Sequence, residues 1–180
     1  MIRAFAIFSF ALLSLGAVSA SAQTNGTMTV KVFFHNETFN PIQEDCRKVY
    51  PTTRTIPKTA AVARAALDEL LKGTTDAERK NEFWSFRAED TKDIIRGLNV
   101  KGGVAYLNFK KAVFEKLGNT TSSCGSGFYS SIEATLTQFK SIKKVVYAVE
   151  ANTNDFYEWV QVGGCPHGKH CDARNFVSGP

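Results

Sequence analysis

The sequence predicts an α+β fold, a two-layer mixed β-sheet with two amphipathic helices on one face. Three observations predict it. Two segments repeat apolar residues at three- and four-residue spacing, several short segments alternate or run apolar at strand length, and a glycine pair joins two of these into a hairpin.

The elements follow in chain order. Residues 29–34 alternate, with Val30, Val32 and Phe34 on one face, and read as a half-buried strand. Residues 35–46 read as a polar loop. Residues 49–56 are extended but hold Pro51, which confines them to an edge because proline has no amide hydrogen for a second neighbour. Thr59 reads as the N-cap of a helix over 60–72, in which Val62, Ala66, Leu67, Leu70 and Leu71 form one stripe and Gly73 closes the end. Arg64 and Asp68 stand one turn apart on another face of it. Residues 75–80 suggest a further short turn. The aromatic stretch 82–86 reads as core filler covering one end of the sheet.

Residues 98–100 and 104–109 flank Lys101-Gly102-Gly103 and read as a β-hairpin, the glycines supplying positive φ. A short helix is expected over 110–117, closed by Gly118, then a small-residue loop over 119–127 carrying Cys124. A second long helix runs from about 128 to 139, with Phe128, Ile132, Leu136 and Phe139 on its stripe. Residues 142–150 are apolar on both faces, which predicts a central strand. Residues 152–155 read as a turn and 159–162 as a last short strand. The Gly/Pro/His/Lys tail beyond reads as loop.

The first residues carry a different signal. Arg3 precedes an apolar run over 4–18, and Ala20-Ser21-Ala22 supplies a small-x-small exit. A basic start, an apolar centre and a small-residue exit make residues 1–22 a cleavable secretory signal. The run is shorter than the ~20 apolar residues that span a bilayer. The expected organisation is 1–22 signal peptide, 23–28 polar leader, 29–155 folded domain and 156–180 tail, with no membrane span in the mature chain and a secreted, periplasmic or other extracytoplasmic location.

Composition narrows the function classes. A hydrophobic fraction of 43% and 14 Phe fit a globular core. The net charge of +5 is modest, and the basic residues come as pairs (Lys110-Lys111, Lys143-Lys144), not as a stripe interleaved with aromatics. No nucleic-acid partner is therefore expected. The four cysteines, Cys46, Cys124, Cys165 and Cys171, suit two disulfides in an oxidising compartment. Three connectivities are possible; Cys46–Cys124 with Cys165–Cys171 is the expected one, since Pro166 and Gly168 turn the chain between the latter two. The same loop packs His167 and His170 between its cysteines, which raises the alternative of a zinc or copper site, although the spacing matches no standard zinc arrangement. No metal and no cofactor are expected.

Catalytic signatures are weak. Gly125-Ser126-Gly127 lacks the frame of a nucleophile elbow, and no phosphate loop is present. Cys124 with His35 as base would make a nucleophile pair, but a Cys46–Cys124 bridge accounts for Cys124 more simply. Glu69, Asp90, Asp93 and Glu133 are the candidate carboxylates for a glycan hydrolase.

Three stretches carry a family resemblance. Arg54-Thr55-Ile56-Pro57 leads into Leu70-Leu71-Lys72-Gly73-Thr74-Thr75; the hairpin runs Leu98 to Phe109; and Thr135-Leu136-Thr137-Gln138-Phe139 precedes Val145-Val146-Tyr147-Ala148-Val149. In order and spacing these resemble the GerMN domain, the family named for sporulation and spore-germination proteins. The chain departs from that pattern at Thr74, at Asn108-Phe109-Lys110 and at Glu150-Ala151, and it lacks the lipid-accepting cysteine of many members. The resemblance implies a non-catalytic binding or assembly module of the bacterial envelope or exterior, whose partner is an unknown envelope protein or cell-wall polymer. A cell-wall glycan hydrolase and a metal carrier using the Cys165–Cys171 loop are the alternatives.

Overall fold

A computed structural model describes residues 26–41, 45–118 and 127–176. The expected signal peptide (1–22), the start of the leader and the loop carrying Cys124 lie outside the described residues. The class is α+β, as the sequence predicts. The strands form two three-stranded sheets, ordered β2-β1-β3 and β4-β5-β6.

The first sheet is built on β1 (Thr27–Asn36), which pairs antiparallel with β2 (Tyr50–Pro57) along its length and with β3 (Phe83–Trp84) at its end. The alternation puts Val30, Val32 and Phe34 inside. β1 extends to His35 and Asn36, which the sequence places in a loop; both are buried because β3 pairs against them. β2 lies at the edge, with Pro51 opposite Phe33.

α1 (Val62–Leu71) buries Ala66, Leu67 and Leu70. It starts later than its apolar stripe suggests. Thr59 Oγ1 accepts from the Ala61 N–H at 3.1 Å, forming a turn ahead of the helix, and Ala61 itself is the N-cap. α2 (Asp76–Lys80) is fixed by a capping box between Thr75 and Glu78. α3 (Ala88–Thr91) leads to β4 (Ile95–Lys101), which turns through Gly102-Gly103, at φ 59° and 82°, into β5 (Val104–Phe109). α4 (Val113–Leu117) and α5 (Gly127–Thr137) follow, then β6 (Lys144–Val149), parallel to β5.

β6 is an edge strand, not the central one; β5 is central. Its two apolar faces have two covers. Val145, Tyr147 and Val149 join the main core with Leu67, Ile132 and Leu136, while Val146 and Ala148 pack under Phe176 from the tail. Apolar patterning reports burial, and here the tail, not a neighbouring strand, provides it on the outer face.

The last strand expected over 159–162 is also corrected. Thr153–Trp159 is a helix, α6, whose N-cap Asn152 accepts from the Asn154 N–H at 3.0 Å. Phe156 and Tyr157 point into the core, and the Trp159 indole N–H donates to the Gly118 carbonyl at 3.1 Å. After α6 come two 3-10 turns, Gly168–Cys171 and Ala173–Phe176. Among the described residues no helix is long and apolar enough to cross a membrane.

Candidate functional site

Two clefts flank α1. The larger, about 480 Å³, runs between Arg64, Asp68 and Lys72 of α1 and Glu89, Lys92 and Asp93 around α3. Arg64 and Asp68 pair at 2.8 Å in its wall, and buried Thr91 donates to the Leu71 carbonyl at 2.6 Å, fastening α3 to the end of α1. The smaller, about 330 Å³, lies between the Ala60–Ala63 segment on one side and Leu98, Val100, Phe139 and Ile142 on the other. Arg64 lines both, so they form successive stretches of one α1 flank.

The smaller cleft borders the outer edge of β4. In a two-residue hairpin the closing pair exchanges backbone hydrogen bonds, and bonded and non-bonded pairs alternate from there. Lys101 opposite Val104 closes the turn, so Asn99 and Gly97 bond to β5 while Leu98 and Val100 aim N–H and C=O away from it. The other side of β5 agrees: Gly103 and Phe109 offer their carbonyls to Lys143 and Glu150, on the β6 side. Among the described residues nothing hydrogen-bonds the outward groups of Leu98 and Val100.

The corresponding edge of β1 is closed. The Gln138 amide accepts from the Lys31 N–H at 2.9 Å and donates to the Lys31 carbonyl at 2.7 Å, imitating a strand, and Thr135 Oγ1 accepts from the Phe33 N–H at 3.2 Å. The Thr-Leu-Thr-Gln-Phe stretch therefore does more than pack. A second latch joins β2 to the α1–α2 junction: Arg54 bonds Glu78 at 2.6 Å and the Gly73 carbonyl at 2.9 Å, with both side chains nearly buried. Neither contact has a periodic signature; the repeated polar residues in otherwise apolar motifs are their only trace in the sequence.

The candidate carboxylates do not converge. Glu69 pairs with Lys72, and Asp90 with Arg87 at 2.9 Å. Asp93 lines the larger cleft without the other three. Glu133 sits exposed on α5, where partial desolvation raises its carboxyl above the ordinary value.

His35 is buried, stacked on Trp84 with ring centroids 4.4 Å apart. A Cβ on Gly127 would stand 2.5 Å from its Nε2, so this approach requires glycine. Burial lowers the imidazole below the ordinary histidine range, and backbone contacts at Gly127 and Lys48 offset only part of that. The other half of the nucleophile pair, Cys124, and with it the expected Cys46–Cys124 bridge, lies outside the described residues; no described cysteine is a free thiol.

Cys165 and Cys171 form the expected disulfide, with Cα atoms 6.0 Å apart. The histidines of that loop are engaged separately. His170 Nδ1 meets the Tyr106 hydroxyl at 2.7 Å, and the His167 ring lies against Tyr157. Among the described residues no three His, Cys, Asp or Glu side chains gather as a ligand set.

The family described as Germane, sporulation and spore germination, matches residues 31–154, well over half of the chain. No curated protein matches. Solved structures of similar shape include two from one protein. One is the tandem GerMN domains of the sporulation protein GerM from Bacillus subtilis, with 23% identity, TM-score 0.49, and 74% of this chain and 42% of that chain covered. The other is the first GerMN domain of the same protein, with 19% identity, TM-score 0.46, and 84% and 97% covered. This chain thus spans about two fifths of the tandem structure. By the extent of the family match, the chain belongs to the Germane family of sporulation and spore germination domains.

Proposed function

We propose that this chain is a non-catalytic binding or assembly module that works outside the cytoplasm. The observation that carries the reading is the continuous α1 flank: two adjoining clefts sharing Arg64, the smaller bordered by a strand edge with outward peptide groups. A surface of that kind suits a macromolecular partner, which can fill grooves and bond the backbone together. Family membership supports a role in sporulation or germination processes. The signal-like residues 1–22 and the Cys165–Cys171 disulfide support an oxidising, extracytoplasmic setting.

The test is native mass spectrometry of the chain from the secreted and envelope fractions of its own cells, with an assay for new reducing ends on cell-wall glycan. The expected result is a chain beginning at Gln23, without stoichiometric metal and without glycan cleavage. Retention of Met1 would defeat the location, bound metal would favour the carrier alternative, and glycan turnover would defeat the non-catalytic reading.

A further inference from the structure

We infer that the outer edge of β4 is a strand-addition site, and that its occupant is an extended, acidic segment of a partner polypeptide. The inference rests on the binding-module reading and names the class of partner.

Leu98 and Val100 present two N–H and two C=O groups in the spacing of an unfilled sheet position, and an added strand bonds such groups whatever its side chains. Sheet edges in soluble proteins are ordinarily blunted by a bulge, a proline, a charge or a covering element. The bulge of β4 lies at its far end, between Ile95 and Gly97, and leaves the stretch through Val100 regular. Val100 is 41% exposed, one of three large exposed hydrophobic residues among those described.

A cleft adjoins this edge. The cleft of about 330 Å³ has alanines on one side and Phe139 and Ile142 on the other. It gives an apolar side chain of the added strand a place to enter, which supplies selectivity that backbone bonding alone lacks.

Charge chooses the occupant. Lys101 ends the edge, and exposed Lys140 and Lys143 flank the cleft residues Phe139, Ser141 and Ile142. None of the three lysines has an ion-pair partner among the described residues, and no carboxylate lines the cleft. A second copy would bring β4 itself to this edge, a strand with Arg96 and Lys101 and no carboxylate. An acidic strand meets the opposite balance.

The experiment uses the full mature chain and two synthetic probes: a peptide alternating valine with aspartate, and the same peptide with lysine for aspartate. Amide exchange read residue by residue locates the added strand. The acidic probe should bind at least about tenfold tighter than the basic one and slow exchange at Leu98 and Val100. Val100→Pro removes one outward donor and should weaken binding about tenfold or more. Because that variant could perturb the hairpin, Lys101→Glu with Lys140→Glu and Lys143→Glu supplies a second arm that leaves the edge intact and should reverse the probe preference. Equal binding of both probes, protection elsewhere, or concentration-dependent protection without peptide, which would mean a second copy, overturns the inference. A natural partner held with unchanged affinity by Val100→Pro overturns it while leaving the binding-module reading in place; glycan turnover defeats that reading instead.

Discussion

The two sheets finish their edges differently. On the first, the edge of β1 beyond β2 is closed by β3 at His35 and Asn36 and by the side chains of Thr135 and Gln138 at Phe33 and Lys31. On the second, the outward peptide groups of Leu98 and Val100 in β4 meet no partner among the described residues. The chain uses two polar side chains, Thr135 on α5 and Gln138 just past its end, to close one edge, so an edge left bare elsewhere is not forced by topology. What differs is what lies alongside: a helix with amide and hydroxyl groups at β1, a cleft walled by alanines at β4.

The largest effect tests how firmly the closed sheet is held. Glu78→Ala leaves the Arg54 guanidinium nearly buried beside the Gly73 carbonyl, and breaking a buried pair from one side costs about 3–5 kcal/mol. Urea unfolding should show that loss. A change under about 1 kcal/mol would mean that water replaces the carboxylate and that the latch adds little.

That latch also marks where the sequence stops being legible. Periodicity exposes α1, α5 and β1 because their burial is one-sided, and the glycine pair exposes the β4–β5 turn because its backbone needs positive φ. α6 escapes because seven residues give two turns at most, and its Phe, Tyr and Trp resemble strand residues as much as helix ones. The place of β6 escapes because two apolar faces can be covered by a strand's neighbours or by Phe176 from the tail. Arg54–Glu78 and Gln138–Lys31 escape because they join positions 24 and 107 residues apart without any local pattern. At the candidate surface, Arg64 and Asp68 were visible as a helical pair, but the open edge of β4 follows only from the register.

A smaller effect is expected at the closure itself. Thr135 is fully buried, and Thr135→Val keeps its shape while removing the acceptor for Phe33 N–H. An unpaired buried donor costs about 1–3 kcal/mol. Faster amide exchange at Phe33 should accompany the loss. Unchanged stability and unchanged exchange would show that packing, not the hydroxyl, closes this edge.

The closed side should also be the acid-sensitive one. Burial depresses the His35 imidazole, so the unfolded chain takes up its proton first as pH falls. The neutral form's contribution is therefore complete above about pH 6.5, the unperturbed value, and is lost progressively from there toward the lower folded value. His35→Phe preserves stacking on Trp84 and removes the titration. Unfolding midpoints at about pH 7.5 and pH 5 should differ less in the variant than in the native chain. Equal differences would assign the acid sensitivity to other groups, His167 and His170 among them, whose values burial also lowers.

The smallest effect is the sharpest contrast. Val100→Pro removes an amide hydrogen that bonds nothing among the described residues, at an edge where proline is tolerated, and should change stability by less than about 1 kcal/mol. Phe33→Pro makes the same change at the closed edge, where the lost hydrogen serves Thr135, and should cost about 3 kcal/mol or more because the fixed φ also strains the strand under β2. Measured side by side, the two prolines report edge closure directly. Similar costs would mean that β4's outer groups are engaged in solution, and the site proposed there would already have an occupant.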